Sequence, residues 1–231
     1  MLRARSVMRT GSAVGLMLLA LAAAAPAALP IGRPVTSEHS WALGAIGTID
    51  RVKVENRAYT VNGKEFSSGG YADVAYGFTH NAEAFLRLGT TAEKYEPNPG
   101  TSQKLGTQLN WGVGLRGTLY DSYQGWKLLG DAQYGGRTSR GVPGAEVSIN
   151  DWQIASAVEM EAGNFYPYLG VLYGRMELKS NNNSVFPSLK SRDQFDVYFG
   201  TGWQPSDLWK TFIEARFLSG FCASAGVSRA F

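Results

Sequence analysis

The residues best able to do chemistry in this chain are charges recurring at alternate positions inside otherwise apolar stretches. They are Asp73; Glu83 and Arg87; Arg116; Lys127 and Asp131, with Gln133; Glu159; Asp196; and Lys210, Glu214 and Arg216. Six are acids and five are bases, so the set comes close to neutrality. Successive side chains of a strand point to opposite faces, so even spacing gathers these groups on one face. Ionised groups of both signs on a shielded face must pair or reach water, and ion pairing is the chemistry expected of them. The usual catalytic and ligating types are scarce. His39 and His80 stand apart, no Ser-x-His or His-x-Ser string is present, and Cys222 is the single cysteine. That supply makes no zinc-ligand spacing, so neither a metal nor a cofactor is expected. Gly112-Val113-Gly114 lies inside a strand pattern and precedes no helix, which removes a phosphate-binding reading.

The elements that must position these charges are long strands. Leu105 to Leu119 reads L-G-T-Q-L-N-W-G-V-G-L-R-G-T-L. One face carries Leu105, Thr107, Leu109, Trp111, Val113, Leu115 and Leu119; the other carries Gly106, Gln108, Asn110, Gly112, Gly114, Arg116 and Thr118. This strand exceeds the roughly 9–11 residues with which a tilted strand crosses a bilayer. Turn signals divide the chain into about ten such segments, near 41–54, 67–79, 82–94, 104–120, 126–138, 146–160, 165–178, 193–204, 208–219 and 221–231. Their outward sets include Ala72, Val74, Tyr76 and Phe78; Ala84, Leu86 and Leu88; Trp152, Ile154 and Val158; and Phe195, Val197 and Phe199. The first segment changes phase near Asp50, which suggests a bulge or the membrane boundary. Short connections at 79–81, 121–125, 161–164 and 204–207 alternate with longer polar ones at 55–66, 95–103, 138–145 and 179–192. The exception is the tight connection 219–222. Short turns on one side, longer loops on the other and an even strand number put both chain ends on the short-turn side.

Residues 1–27 divide into a basic start (Arg3, Arg5, Arg9), an apolar stretch over 13–24 and a small-residue end, Ala25-Pro26-Ala27. This is the layout of a cleaved signal peptide, with cleavage after Ala27 or Ala25. The chain holds 22 basic and 19 acidic residues; removing a leader with three Arg leaves 19 of each. The basic balance therefore belongs to the leader and gives no argument for a nucleic-acid partner. All 28 aromatic residues lie beyond the leader. The domains expected are a signal peptide at 1–27, a short periplasmic segment at 28–40 and one barrel at 41–231.

Trp41, Trp126, Trp203 and Trp209 fall at strand ends on the short-turn side, as an aromatic girdle at a membrane–water interface would. The last residues, Gly226-Val227-Ser228-Arg229-Ala230-Phe231, resemble the C-terminal assembly signal of bacterial outer-membrane β-barrel proteins. Phe231, Val227 and Ala225 fit its alternate apolar positions; Arg229 departs from it. Over the mature chain the architecture is similar to the small OmpA/OmpX-type and opacity-type barrels, with no subfamily motif. The fold expected is all-β: a transmembrane antiparallel up-and-down barrel of about ten strands, alternatively eight. The resemblance implies the cell outer membrane as location, with outer-membrane lipid, lipopolysaccharide and the barrel-assembly machinery as partners. It further implies that the loop 179–192 is where a surface ligand would bind. In such a barrel Asp73, Glu83, Arg87, Arg116, Asp131, Glu214 and Arg216 form a charge network in the lumen. The function expected is a structural or surface-interaction role without enzymatic activity, the alternative being a small diffusion porin. Barrel hydrolases acting on lipid mostly use a His beside Ser or Asp. Here His39 and His80 fall on the periplasmic side, so that reading ranks last.

Overall fold

The computed structural model describes residues 36–56, 61–98, 100–122, 124–217 and 219–231. The expected signal peptide and residues 28–35 lie outside the described residues. The strands are β1 (Trp41–Asn56), β2 (Val61–Thr79), β3 (Ala82–Asn98), β4 (Gln103–Asp121), β5 (Trp126–Val142), β6 (Ala145–Met160), β7 (Phe165–Ser180), the short β8 (Leu189–Ser191), β9 (Phe195–Ser206), β10 (Trp209–Phe217) and β11 (Gly220–Ala230). The ten long strands pair antiparallel in order, and β11 returns to β1 through register pairs from Ala42↔Ala230 to Val52↔Gly220. Closure leaves no free edge, which is what allows strands to sit where no water reaches the backbone.

Strand positions follow the alternation, with one systematic difference. Residues 61–66, 95–98 and 139–142, which read as polar loops, are the outer ends of β2, β3 and β5. The ladder reaches Asn56↔Val61 and Asn62↔Asn98. The outer connections are consequently short, apart from the one between β7 and β9. The physical reason lies outside the barrel. Beyond the bilayer a strand's outward face meets water, so its polar residues imitate a loop in sequence.

Two aromatic belts mark where that change occurs. The inner belt holds Trp41, Trp126, Phe165, Trp203, Trp209 and Phe231, all turned outward. An outer belt holds Trp111, Tyr134, Trp152 and Tyr173, which sit mid-strand on β4 to β7, and Phe195, Phe217 and Phe221 at the outer ends of β9, β10 and β11. Phe195 and Trp203 on β9, like Phe217 and Trp209 on β10, are eight positions apart. That is about 26 Å along a strand and roughly 20 Å along the axis of a barrel with ordinary tilt. Between the belts the outward face is apolar, with Leu86, Val113, Leu115, Ile154, Leu169 and Ile213 exposed to the surroundings. Rings paired around both belts include Trp41–Tyr76 at 4.8 Å and Tyr173–Phe195 at 5.2 Å between centroids.

Beyond the outer belt the barrel turns inside out. Lys53, Thr138, Ser148, Asn150 and Glu177 point outward, while Val54, Tyr95, Leu105, Val147, Ile149 and Leu178 are buried within. The phase change near Asp50 is this boundary and not a bulge, since β1 keeps an unbroken register with β2 throughout. Strands β9, β10 and β11 stop at the belt. Their place above it is taken by β8, which bridges the gap between β7 (Leu178↔Leu189) and β1 (Val54↔Ser191). Ten strands therefore enclose the membrane half, and seven strands plus β8 enclose the outer half.

One residue of the clearest strand faces the other way from its expected side. Leu105 is wholly buried inside the barrel. A bulge opposite Glu93 and Lys94, with Gly106 at φ +85°, inserts the extra residue that reverses the alternation there. A left-handed backbone at that point suits glycine, and the apolar interior receives the side chain it turns inward.

Candidate functional site

The lumen places all seven residues of the expected charge network inside, and it divides them between two clusters. In the first, Arg87 Nε donates to Asp73 Oδ1 at 2.6 Å and Arg87 Nη1 to Gln133 Oε1 at 2.8 Å. Arg116 Nε donates to Glu83 Oε1, and its Nη2 reaches Asp73 Oδ2 at 3.5 Å. Asp131 joins through Gln133, whose Nε2 donates to Asp131 Oδ1 at 2.6 Å. Asp131 stands opposite Arg116 in the β4–β5 register, yet its side-chain bond goes to Gln133 on its own strand. Glu83 is held from below by the N-terminal segment: Thr36 donates from its N at 2.9 Å and its Oγ1 at 2.6 Å to Glu83 Oε2.

The second cluster is Arg216 and Glu214. Arg216 Nε donates to Glu214 Oε1 at 3.1 Å and Nη1 to Gln153 Oε1 at 3.0 Å, while Tyr168 OH donates to Glu214 Oε2 at 3.0 Å. A third cluster was missed in the sequence. Arg137 Nε donates to Glu93 Oε1, Gln108 Nε2 donates to Glu93 Oε2 at 2.9 Å, and Glu65 Oε1 lies 3.9 Å from Arg137 Nη2. The signal that could have found it is continued alternation: Asp131, Gln133 and Arg137 share one phase of β5, and Glu65 shares that of Asp73 on β2.

Between these charges the space is filled. A Cβ at Gly114 of β4 would collide with the ring of Phe85. The guanidinium carbons of Arg87 and Arg116 lie over that ring at 4.2 and 5.0 Å. Across the lumen, Leu129, Ala155, Ala157, Tyr168, Leu172 and Tyr198 make an apolar wall. Arg87, Glu83 and Tyr198 have no exposed surface at all. Ion pairs, one aromatic shelf and that wall occupy the middle of the barrel.

The outer mouth is closed by different chemistry. Phe186 and Leu189, from the long β7–β9 connection, enter an apolar cluster with Tyr95, Leu105, Val147, Ile149 and Leu178. The Phe186 and Tyr95 rings meet edge-on at 5.4 Å. Each fully buried Leu, Ile or Phe side chain contributes about 1.5–3 kcal/mol relative to exposure, so the plug is a core in its own right. The connection 179–192, one of the longer polar loops in the sequence, thus supplies the seal. Its asparagines tie it down: Asn181 N donates to Glu146 O at 3.1 Å, and Asn182 Nδ2 to Gly144 O at 3.2 Å. Beneath the plug a cavity of about 80 Å³ is lined by Asp50, Asp151, Asp196, Arg216, Ser219 and Cys222. Cys222, the one free thiol, is buried there.

The remaining expected residues lie at the inner rim, apart from Ala225, which pairs with Gly47 and Ile213 midway along β11. Ala225, Val227 and Phe231 face outward, and Phe231 N donates to Trp41 O at 2.8 Å. Arg229, also outward, has its guanidinium carbon 5.6 Å from the Trp209 ring centre and 4.9 Å from that of Phe231, an aromatic accommodation for its charge. His80 Nδ1 is 2.5 Å from Glu38 Oε2 and His39 Nδ1 is 3.4 Å from Tyr76 OH, all exposed. Among the described residues no group of three or more His, Cys, Asp or Glu is arranged to hold a metal ion.

No family model and no curated protein matches the chain. Solved structures do. The translocator domain of the autotransporter NalP from Neisseria meningitidis is 15% identical, with 98% of this chain and 97% of that chain covered at a TM-score of 0.46. The outer-membrane protease OmpT from Escherichia coli is 10% identical over 83% of this chain and 95% of that one, with a TM-score of 0.41. Ail, the attachment invasion locus protein of Yersinia pestis, is 12% identical over 84% and 99%, with a TM-score of 0.29. These are likenesses to barrels of different roles, and they carry no residue's role to this chain. Its own closed ladder, its paired aromatic belts and the apolar band between them make the chain a ten-strand β-barrel of the outer-membrane type.

Proposed function

We propose that this barrel resides in the outer membrane as a non-conducting protein with a structural or surface-interaction role. The observation that carries the reading is the double obstruction of the lumen. Ion pairs around Phe85 fill the membrane half, and the Phe186–Leu189 plug fills the outer half. In this reading Phe231, Val227 and Ala225 present the C-terminal strand to the assembly machinery. The outer half would stand above the bilayer and offer the surface partners touch. His39 and His80 have no part in it, since they lie at the end remote from the outer leaflet.

Planar-bilayer recording of the refolded protein tests the proposal, and no stable conductance step is expected. The competing reading, a small pore, draws on the cavity beneath the plug and on β8, which is held to its neighbours by only four register pairs. Reproducible steps in the native protein that persist when Phe186→Ala removes the plug's largest ring would establish a constitutive pore and overturn the closed reading. Heat-modifiable migration and recovery with outer membranes test the location separately.

A further inference from the structure

The outer wall above the belt is not uniform in how it treats its cations. On β5–β7 the outward cations are paired: Arg140 with Glu146 at 3.2 Å, Arg175 with Glu177 at 2.6 Å and Lys179 with Glu177 at 3.2 Å. On β1–β4 the pattern is mixed, with Lys53 meeting Asp193 at 3.7 Å. Arg51, Phe66, Lys94 and Lys104 are register partners across four adjacent strands, forming one row. Lys94 meets Glu96 at 2.6 Å, whereas Arg51 and Lys104 have no carboxylate partner among the described residues. The Arg51 guanidinium carbon instead lies 4.8 Å from the centre of the Phe66 ring. Below this row runs a groove of about 550 Å³ bounded by Ile49, Phe66, Ser68, Ala92, Lys94 and Lys104.

The bulge at Gly106 helps to open that groove. It sends the Leu105 side chain into the plug and leaves Gly106, which has no side chain, lining the groove between Lys104 and Thr107. Strand tilt then sets the depth of the row in the membrane. Arg51 is the register partner of the belt residue Phe221, so it stands at the membrane boundary. Lys104 lies well beyond Trp111 on its own strand. The cations thus climb from the acyl–headgroup boundary into the headgroup region, along one side of an apolar-floored groove.

We propose that this groove binds a phosphorylated glycolipid of the outer leaflet, with an acyl chain along Ile49, Ser68 and Ala92 and phosphates on Arg51, Lys94 and Lys104. Charge complementarity and the position astride the belt select an anionic lipid over a soluble partner. A cation within a Debye length of an anionic surface gains from it, and one with no protein carboxylate gains most. The proposal rests on the membrane placement of the outer belt but not on a closed lumen. A conducting barrel would therefore leave it standing.

The test measures the thermal unfolding midpoint of the refolded barrel in phosphatidylcholine vesicles as bisphosphorylated lipid A is added. The same titration is run with dephosphorylated lipid A and with inorganic phosphate. Only the bisphosphorylated lipid should raise the midpoint saturably, by roughly 5 °C once the sites are filled. Replacing the three cations together (Arg51→Gln, Lys94→Gln, Lys104→Gln) should raise the half-saturating concentration roughly 10-fold. The opposite-wall variant (Arg140→Gln, Arg175→Gln, Lys179→Gln) should stay within about 2-fold. Equal losses in the two variants would reduce the effect to general surface charge. An equal rise with dephosphorylated lipid, or with phosphate alone, would replace the lipid site by an apolar or a free-anion one. Each of these results overturns the proposal. If the triple variant does not refold, the three titrations of the native protein and the single variant Lys104→Gln decide it by the same criteria.

Discussion

The membrane half and the outer half of this barrel are made from the same strands with opposite polarity. Between the belts Leu115 and Ile154 face outward and Arg116 and Asp131 face in; past the outer belt Thr138 and Lys53 face outward and Ile149 and Leu178 face in. A closed antiparallel ladder satisfies its backbone in either solvent, so the sheet crosses the boundary without interruption while its side chains exchange places. The lesson is that the environment outside a strand dictates its pattern, and the interior takes whatever is left. In lipid the interior inherits the charges, which must pair. In water it inherits the apolar residues, which pack as in any soluble core.

The comparison breaks most readily at Arg116. Its guanidinium meets two buried carboxylates, Glu83 and Asp73, so Arg116→Ala leaves charge uncompensated and should cost about 3–5 kcal/mol. Urea unfolding of the refolded barrel in detergent measures this, with Lys190→Ala in β8 as a comparison expected to stay under about 1 kcal/mol. A cost below about 1 kcal/mol at Arg116 would mean that water fills the inner half.

The boundary itself can be sharpened with one substitution on each side of the outer belt. Leu115→Lys, on the lipid face midway between the belts, should destabilise the barrel in vesicles by about 2–4 kcal/mol. Thr138→Lys, four residues beyond Tyr134 on the outward face of β5, should change stability by no more than about 0.5 kcal/mol. Equal penalties would place both residues in lipid and extend the membrane over the outer half.

The outer core offers the smallest expected global effect. Leu178→Ala removes a fully buried side chain that pairs with Leu189 of β8, at a local cost of about 2–4 kcal/mol. If the halves open independently, that cost falls on the plug alone, and limited proteolysis should nick 181–188 faster while heat-modifiable migration is unchanged. Simultaneous loss of both readouts would show a single cooperative unit.

Strand number and direction, inward and outward phases of the membrane half and the inner aromatic belt were legible in the chain. A period of two against lipid leaves each position little choice. The same rule misread 61–66, 95–98 and 139–142 as loops, because alternation with a polar outward face looks like no alternation at all. It also left Glu65, Glu93 and Arg137 unassembled, since their meeting depends on register across β2, β3 and β5. What only the tertiary structure decided is equally specific. The phase change at Asp50 marks a solvent boundary, which is a property of the assembled barrel and not of one strand. Leu105 turns inward because a bulge and a waiting core act together. Phe186 becomes a plug because the shortness of β9–β11 leaves a gap that the connection after β7 folds back to fill. Local pattern determines which face a residue belongs to; only closure of the sheet determines what that face meets.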